Sequence, residues 1–223
     1  MEVTLDRRFR GPLTSANGGY AAGRLAAFVD AEEVEVTLQL PPPLDRPLVV
    51  ERDGFEVRLL DGDAVVAEAR PAPVDLDAPP PVSLAEASLA RARHTRGFSP
   101  EFGECFVCGI REDGLEIHVG PVAGRERVHA SPVALSEASP AMVWAAIDCP
   151  GAYAVGAAGR GDIVLGRMTA TVTRLPAVGE ECVVIAWPLG EDRRKLFAGT
   201  ALYDAAGEVL ALAKQIWIVP RAS

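Results

Sequence analysis

Within a nearly unbroken apolar run from 141 to 158, the stretch Trp144-Ala-Ala-Ile-Asp-Cys-Pro-Gly-Ala-Tyr153 carries a single charged residue, Asp148. An unpaired carboxylate taken out of water is strongly penalised, so Asp148 needs a hydrogen-bonding partner or a chemical task. Burial beside Trp144, Ile147 and Tyr153 disfavours the charged form and raises proton affinity, which suits a general base near neutral pH. The plainer alternative is a helix-terminal carboxylate satisfied by N–H groups of the Cys-Pro-Gly turn. A second set of groups lies at Asn17-Gly18-Gly19, ahead of a helical stretch. First-turn N–H groups lack an intrahelical acceptor and the helix dipole favours negative charge there. Glycines also let a ligand approach the backbone, so the three residues can form an anion hole; an N-cap followed by a turn explains them equally well.

Cys105-Phe-Val-Cys108 is the remaining motif. A structural zinc site wants a second Cys or His pair, whereas His94, His118 and His129 are scattered singly. The motif therefore reads as a tight turn with buried thiols, and neither a metal nor another cofactor is expected. The formal net charge of −9 and pI near 4.9 argue against nucleic-acid binding. Arg193-Arg194-Lys195 reads as an exposed hairpin loop or a local phosphate pocket. The apolar run is too short and interrupted to cross a bilayer, and the start lacks the basic-then-apolar order of an export signal. A cytoplasmic protein with reduced cysteines and no membrane partner is expected.

The elements that must position these groups recur twice. In the first half a strand over 2–10 and a helix over 19–29 precede strands over 34–40, 48–52, 55–60 and 64–69, the middle pair joined by the Asp53-Gly54 turn. Prolines between 70 and 82 forbid helix and favour an extended linker. Ser83 and Glu86 form a capping box for a helix to about 93, with Leu84 and Leu89 as its apolar side. A packed loop follows, over 94–114. Strands over 115–119 and 126–129, a helix over 139–148 and four strands over 167–174, 181–187, 196–203 and 209–219 complete the second half. Residues 60–70 can be laid on 203–214 with one insertion, which suggests internal duplication. The expected units are 1–75, a linker and CxxC loop over 76–114, and 115–223.

A central helix followed by an antiparallel meander, present twice, resembles the double hotdog fold of the type II acyl-CoA thioesterase family. The predicted class is α+β, with two antiparallel sheets each wrapping a central helix. Three local matches carry the resemblance: Ser15-Ala-Asn-Gly-Gly-Tyr20, Trp144-Ala-Ala-Ile-Asp148 and Gly207-Glu-Val-Leu-Ala-Leu-Ala-Lys-Gln215. The CxxC segment is similar to that of an actinobacterial branch. The resemblance implies hydrolysis of an acyl-CoA or acyl-carrier thioester, with Asp148 as base and Gln215 holding the attacking water. Asn17, Gly18 and Gly19, with Tyr153 and Trp187, would bind the substrate, and a homo-oligomer is a further implication. Against this, Gln215 also reads as a strand residue facing solvent, and Trp187 and Trp217 as core. The family's Thr or Ser on a middle strand has no counterpart in Cys182-Val-Val-Ile-Ala-Trp-Pro188. A non-catalytic acyl-CoA or acyl-chain binding protein is thus the alternative, and a dehydratase, which wants a His in a central helix, ranks last.

Overall fold

The computed structural model describes residues 1–96, 99–157 and 162–221. The first half of the chain comprises β1 (Glu2–Thr4), α1 (Gly18–Ala26), β2 (Glu33–Leu38), β3 (Pro47–Asp53), β4 (Glu56–Asp61) and β5 (Ala64–Pro71). Residues 72–83 have no regular structure, as the prolines require. After them come α2 (Leu84–Arg91), β6 (Gly120–Pro121), β7 (His129–Val133), α3 (Pro140–Ala146), α4 (Cys149–Ala154), β8 (Val164–Val172), β9 (Cys182–Asp192), β10 (Lys195–Asp204) and β11 (Val209–Ile218).

The strands of both halves form one antiparallel sheet, ordered β1-β3-β4-β5-β2-β8-β11-β10-β9-β7-β6, where two sheets side by side were expected. Its seam is the pairing of β2 with β8, running from Glu33↔Thr171 to Thr37↔Arg167. Arg167 clasps that seam, donating from Nε to Thr37 Oγ1 at 2.9 Å and standing 3.6 Å from the Glu35 carboxylate. Outward from the seam the two sides follow one rule: the strand after the central helix lies innermost, then the fourth, third and second strands of the meander.

The central helices α1 and α3 pack together on one face of the sheet. They approach closely because α1 presents glycines. A Cβ on Gly19 would stand 2.5 Å from the Trp144 carbonyl oxygen and overlap Asp148 Cβ, and one on Gly23 would stand 2.7 Å from Trp144 Cβ. The other face of the second half is covered by α2: Ala87 and Ala90 cluster with Val183, Ile185, Ala201 and Tyr203, while alternate residues such as Cys182, Val184, Ala198 and Leu202 join the main core.

Several expectations change in detail. The strand over 2–10 ends at Thr4, where Asp6 caps a 3₁₀ turn at Arg7–Phe9 by accepting from Arg8 N–H. Residues 115–119 form no strand; Leu115 and Ile117 donate instead to the carbonyls of Phe106 and Val107, which ties the CxxC loop down. The capping box of α2 is present, but its buried side is Ala87 and Ala90, and Leu89 is 62% exposed. The helix over 139–148 is two helices, α3 and α4, broken at Ile147 and Asp148. Of the expected loop over 94–114, residues 97 and 98 lie outside the described residues, as does residue 158 of the apolar run.

Candidate active site

Pro150 makes the break. It has no N–H to offer the carbonyl of Ala146, and its ring disfavours the helix preceding it. Ile147 and Asp148 leave helical geometry, at φ −95°, ψ 10° and φ −82°, ψ −81°. The freed carbonyls are taken by the sheet. Ile147 C=O accepts from the Thr200 hydroxyl at 2.7 Å and from Gln215 Nε2 at 2.5 Å. Asp148 C=O accepts from Gly151 N–H at 3.1 Å and from the same Gln215 amide at 3.2 Å. Gln215 Oε1 in turn accepts from Trp217 Nε1 at 2.8 Å. A Cβ at Gly151 would overlap Gln215 Oε1, so glycine is what admits the amide.

These contacts correct the solvent-facing reading of Gln215. It is fully buried, and its amide holds the helix break through the Ile147 and Asp148 carbonyls. They also supply a hydroxyl that sequence reasoning missed. Thr200 lies on β10, one strand beyond the segment searched, and only the pairing of β10 with β11 brings it 3.4 Å from Gln215 Nε2.

The Asp148 side chain points back to α1 and is 2% exposed. Its Oδ2 accepts from Asn17 Nδ2 at 2.8 Å and from Gly19 N–H at 2.9 Å, while Oδ1 is buried without a partner among the described residues. Burial pushes its pKa up to about 7, helped by the nearby Cys105 and opposed by Gly19 N–H and Asn17. Asn17 is at once the N-cap of α1, accepting from Tyr20 N–H at 2.9 Å, and a ligand of the carboxylate. The first-turn donors are therefore partly spent: Gly19 N–H on Asp148, Tyr20 N–H on Asn17. Gly18 N–H has no partner among the described residues, and Gly18 borders a cleft.

That cleft has a volume of about 320 Å³. Asp148 lies in its wall with apolar side chains from β2, β8 and β11, among them Leu38, Leu165 and Trp217, and with Cys105, Cys108 and Cys149. Asn17, Gly18 and Asp148 are thus brought together, with Gly19 touching the carboxylate. Trp187 is not part of it: it packs over Gly199 toward the α2 face. Tyr153 stands behind Cys108 and lines a second cavity of about 380 Å³. None of the three histidines lines the cleft. The CxxC pair acquires a third member that spacing could not reveal, because Cys149 comes from the far side of the helix break; the three sulfurs lie within 4.8 Å of one another.

No protein-family model and no curated relative matches the chain by sequence. Solved structures match its shape over nearly the whole length. A protein with a hotdog fold from Alicyclobacillus acidocaldarius is 15% identical, with a TM-score of 0.65 over 100% of this chain and 93% of that one. An acyl-CoA thioesterase II from Mycobacterium marinum is 12% identical, with a TM-score of 0.62 over 100% and 93%. A dehydratase domain of a mycocerosic acid synthase-like PKS is 16% identical, with a TM-score of 0.61 over 99% and 90%. The chain has the hotdog fold. Among the described residues no helix is long and apolar enough to cross a membrane.

Proposed function

We propose that the cleft hydrolyses an acyl thioester, such as an acyl-CoA, to the free acid and thiol, with Asp148 as general base. The observation that carries this reading is the asymmetry of one carboxylate: Oδ2 is clamped by Asn17 and Gly19, and Oδ1 is left without a partner in the wall of an apolar cleft. In this scheme Oδ1 takes a proton from water as the water oxygen attacks the thioester carbonyl carbon. Charge then building on the carbonyl oxygen is met by Gly18 N–H at the start of α1, aided by the helix dipole. Collapse of the tetrahedral intermediate breaks the C–S bond, and the departing thiolate recovers the proton from Asp148. The acyl chain would lie along Leu38 and Leu165.

Gln215 and Thr200 act here as positioning residues, since their polar atoms hold the main chain on either side of the base. The likeness to a solved acyl-CoA thioesterase supports the substrate class, although the dehydratase domain shares the same shape. A dehydratase is disfavoured by the absence of histidine from the cleft wall. The matching strand order on the two sides of the seam further supports a tandem arrangement arisen by duplication, with units close to 1–75 and 115–223.

One observation favours a second reading, a protein that binds acyl-CoA without turning it over: the glutamine amide is committed to carbonyl groups rather than to a water. Release of free thiol from short, medium and long acyl-CoAs separates the two. Hydrolysis predicts turnover that falls about 10²- to 10⁴-fold in Asp148→Asn, the range for loss of a general base. Acyl-CoA binding with no turnover by the unaltered protein would establish the second reading instead.

A further inference from the structure

The thiol cluster is left unused by this chemistry. Cys105, Cys108 and Cys149 are 1%, 8% and 6% exposed, and all three residues line the cleft with Asp148. Cys105 and Cys149 sulfurs stand 3.8 Å apart. In tetrahedral thiolate sites with Zn–S near 2.3 Å, neighbouring sulfurs are separated by about 3.8 Å, far longer than the ~2 Å of a disulfide.

Each sulfur also has its own neutral donor. Cys105 receives the main-chain N–H groups of Cys108 and Val107, Cys108 the Tyr153 hydroxyl, and Cys149 the Asn17 amide at 3.6 Å. A thiol gains little from such donors, whereas a thiolate is stabilised by them, as ligands of a metal are by the groups behind them.

The loop is built for close approach. Gly109 N–H donates to the Cys105 carbonyl at 2.8 Å, and a Cβ on Gly109 would stand 2.6 Å from both the nitrogen and the oxygen of Cys105. Phe106 N–H is fixed to the Arg10 carbonyl at 2.8 Å, so the CxxC turn is anchored to the first half of the chain and delivered against the helix break in the second. Among the described residues no Arg, Lys or His bonds to these sulfurs. As thiolates the three sulfurs would therefore need a cation held among them to balance their charge.

We propose that Cys105, Cys108 and Cys149 bind one zinc-class divalent cation as thiolates, with the fourth coordination position opening on the cleft beside Asp148. Binding releases the thiol protons and places a Lewis acid at the cleft wall; three protein ligands with one open position is the pattern of sites that hold a reactive water. The assignment goes beyond the hydrolytic reading and stands without it.

The test measures metal, not turnover. Full-length protein kept in reductant is loaded with zinc or cobalt(II), desalted and analysed for bound metal, and the cobalt form is scanned for thiolate-to-metal charge-transfer absorption. One metal per chain with that absorption is expected. Cys105→Ser and Cys149→Ser should lose it, and Cys182→Ser, a buried thiol outside the cluster, should keep it. Tyr153→Phe should weaken zinc about 10- to 100-fold in competition with a chelator, as removal of a ligand-orienting hydrogen bond does. The unaltered protein binding no more metal than folded Cys149→Ser would overturn the proposal. So would a Cys105–Cys149 disulfide persisting in the same reductant, or cobalt bound without the charge-transfer band, a readout that needs no variant to fold.

Discussion

On the β2 side of the seam, strands β1 to β5 bury only apolar side chains; on the β8 side the strands bury Ser131, Thr169, Thr200 and Gln215. The frame is the same on both sides, so topology does not account for the contrast. The helices do. Helix α1 runs unbroken and satisfies its own carbonyls, and the sheet beneath it can be wholly apolar. The break between α3 and α4 strips Ile147 of its helical donor, and polar strand residues must rise from the sheet to meet it. Thr200 and Gln215 therefore mark the backbone defect beside them, and the defect is what turns Asp148 toward the other half.

The contrast is broken most forcefully at the helix contact. Gly19→Ala and Gly23→Ala should each cost about 3 kcal/mol in urea unfolding, the upper range for overpacking, because backbone and Trp144 oppose the added methyl. A loss below about 1 kcal/mol would mean that the halves are not held helix to helix. Next in size, Gln215→Ala should cost about 2 kcal/mol, since it leaves the Trp217 indole N–H buried and unpaired and removes one of two donors to Ile147. Thr200→Val, which keeps the shape and removes the other donor, should cost about 1 kcal/mol. Equal effects at the two positions would show that the break rests on packing instead. On α2, far from the break, Ser83→Ala should cost about 1 kcal/mol by loss of the capping box, and Leu89→Ser should stay within about 0.5 kcal/mol.

Most of this frame was legible. Period-two patterning found the strands of both meanders to within a few residues, and capping residues found the starts of α2 and α3 at Ser83 and Ser139. Legibility failed where tertiary contacts overrode local pattern. Leu89 outranks Ala87 and Ala90 by hydropathy, yet the space over β7 admits only small side chains near the sheet. The stretch 115–119 alternates like a strand but spends its N–H groups on the CxxC loop. At the site, Asp148 stood out because a charge in an apolar run is anomalous at any distance. Thr200 and Cys149 did not, because their meaning comes from groups far along the chain: Thr200 from a carbonyl exposed by Pro150, Cys149 from a turn on the opposite side of the cleft. Trp187 misled for the complementary reason, since facing on a strand with a register shift beside it cannot be counted from one end.

The seam between β2 and β8 sets how a ligand can arrive. Five residue pairs cross it, with Arg167 reaching over to Thr37. Swinging one half away from the other would break main-chain bonds worth about 1 kcal/mol each and uncover both central helices at once, so a hinged opening stands several kilocalories above the closed molecule. Traffic through the cleft falls instead to its rim, where residues 39–42 and 163–166 carry the wall, and the exchange of any bound ligand is governed by short segments rather than by the joint.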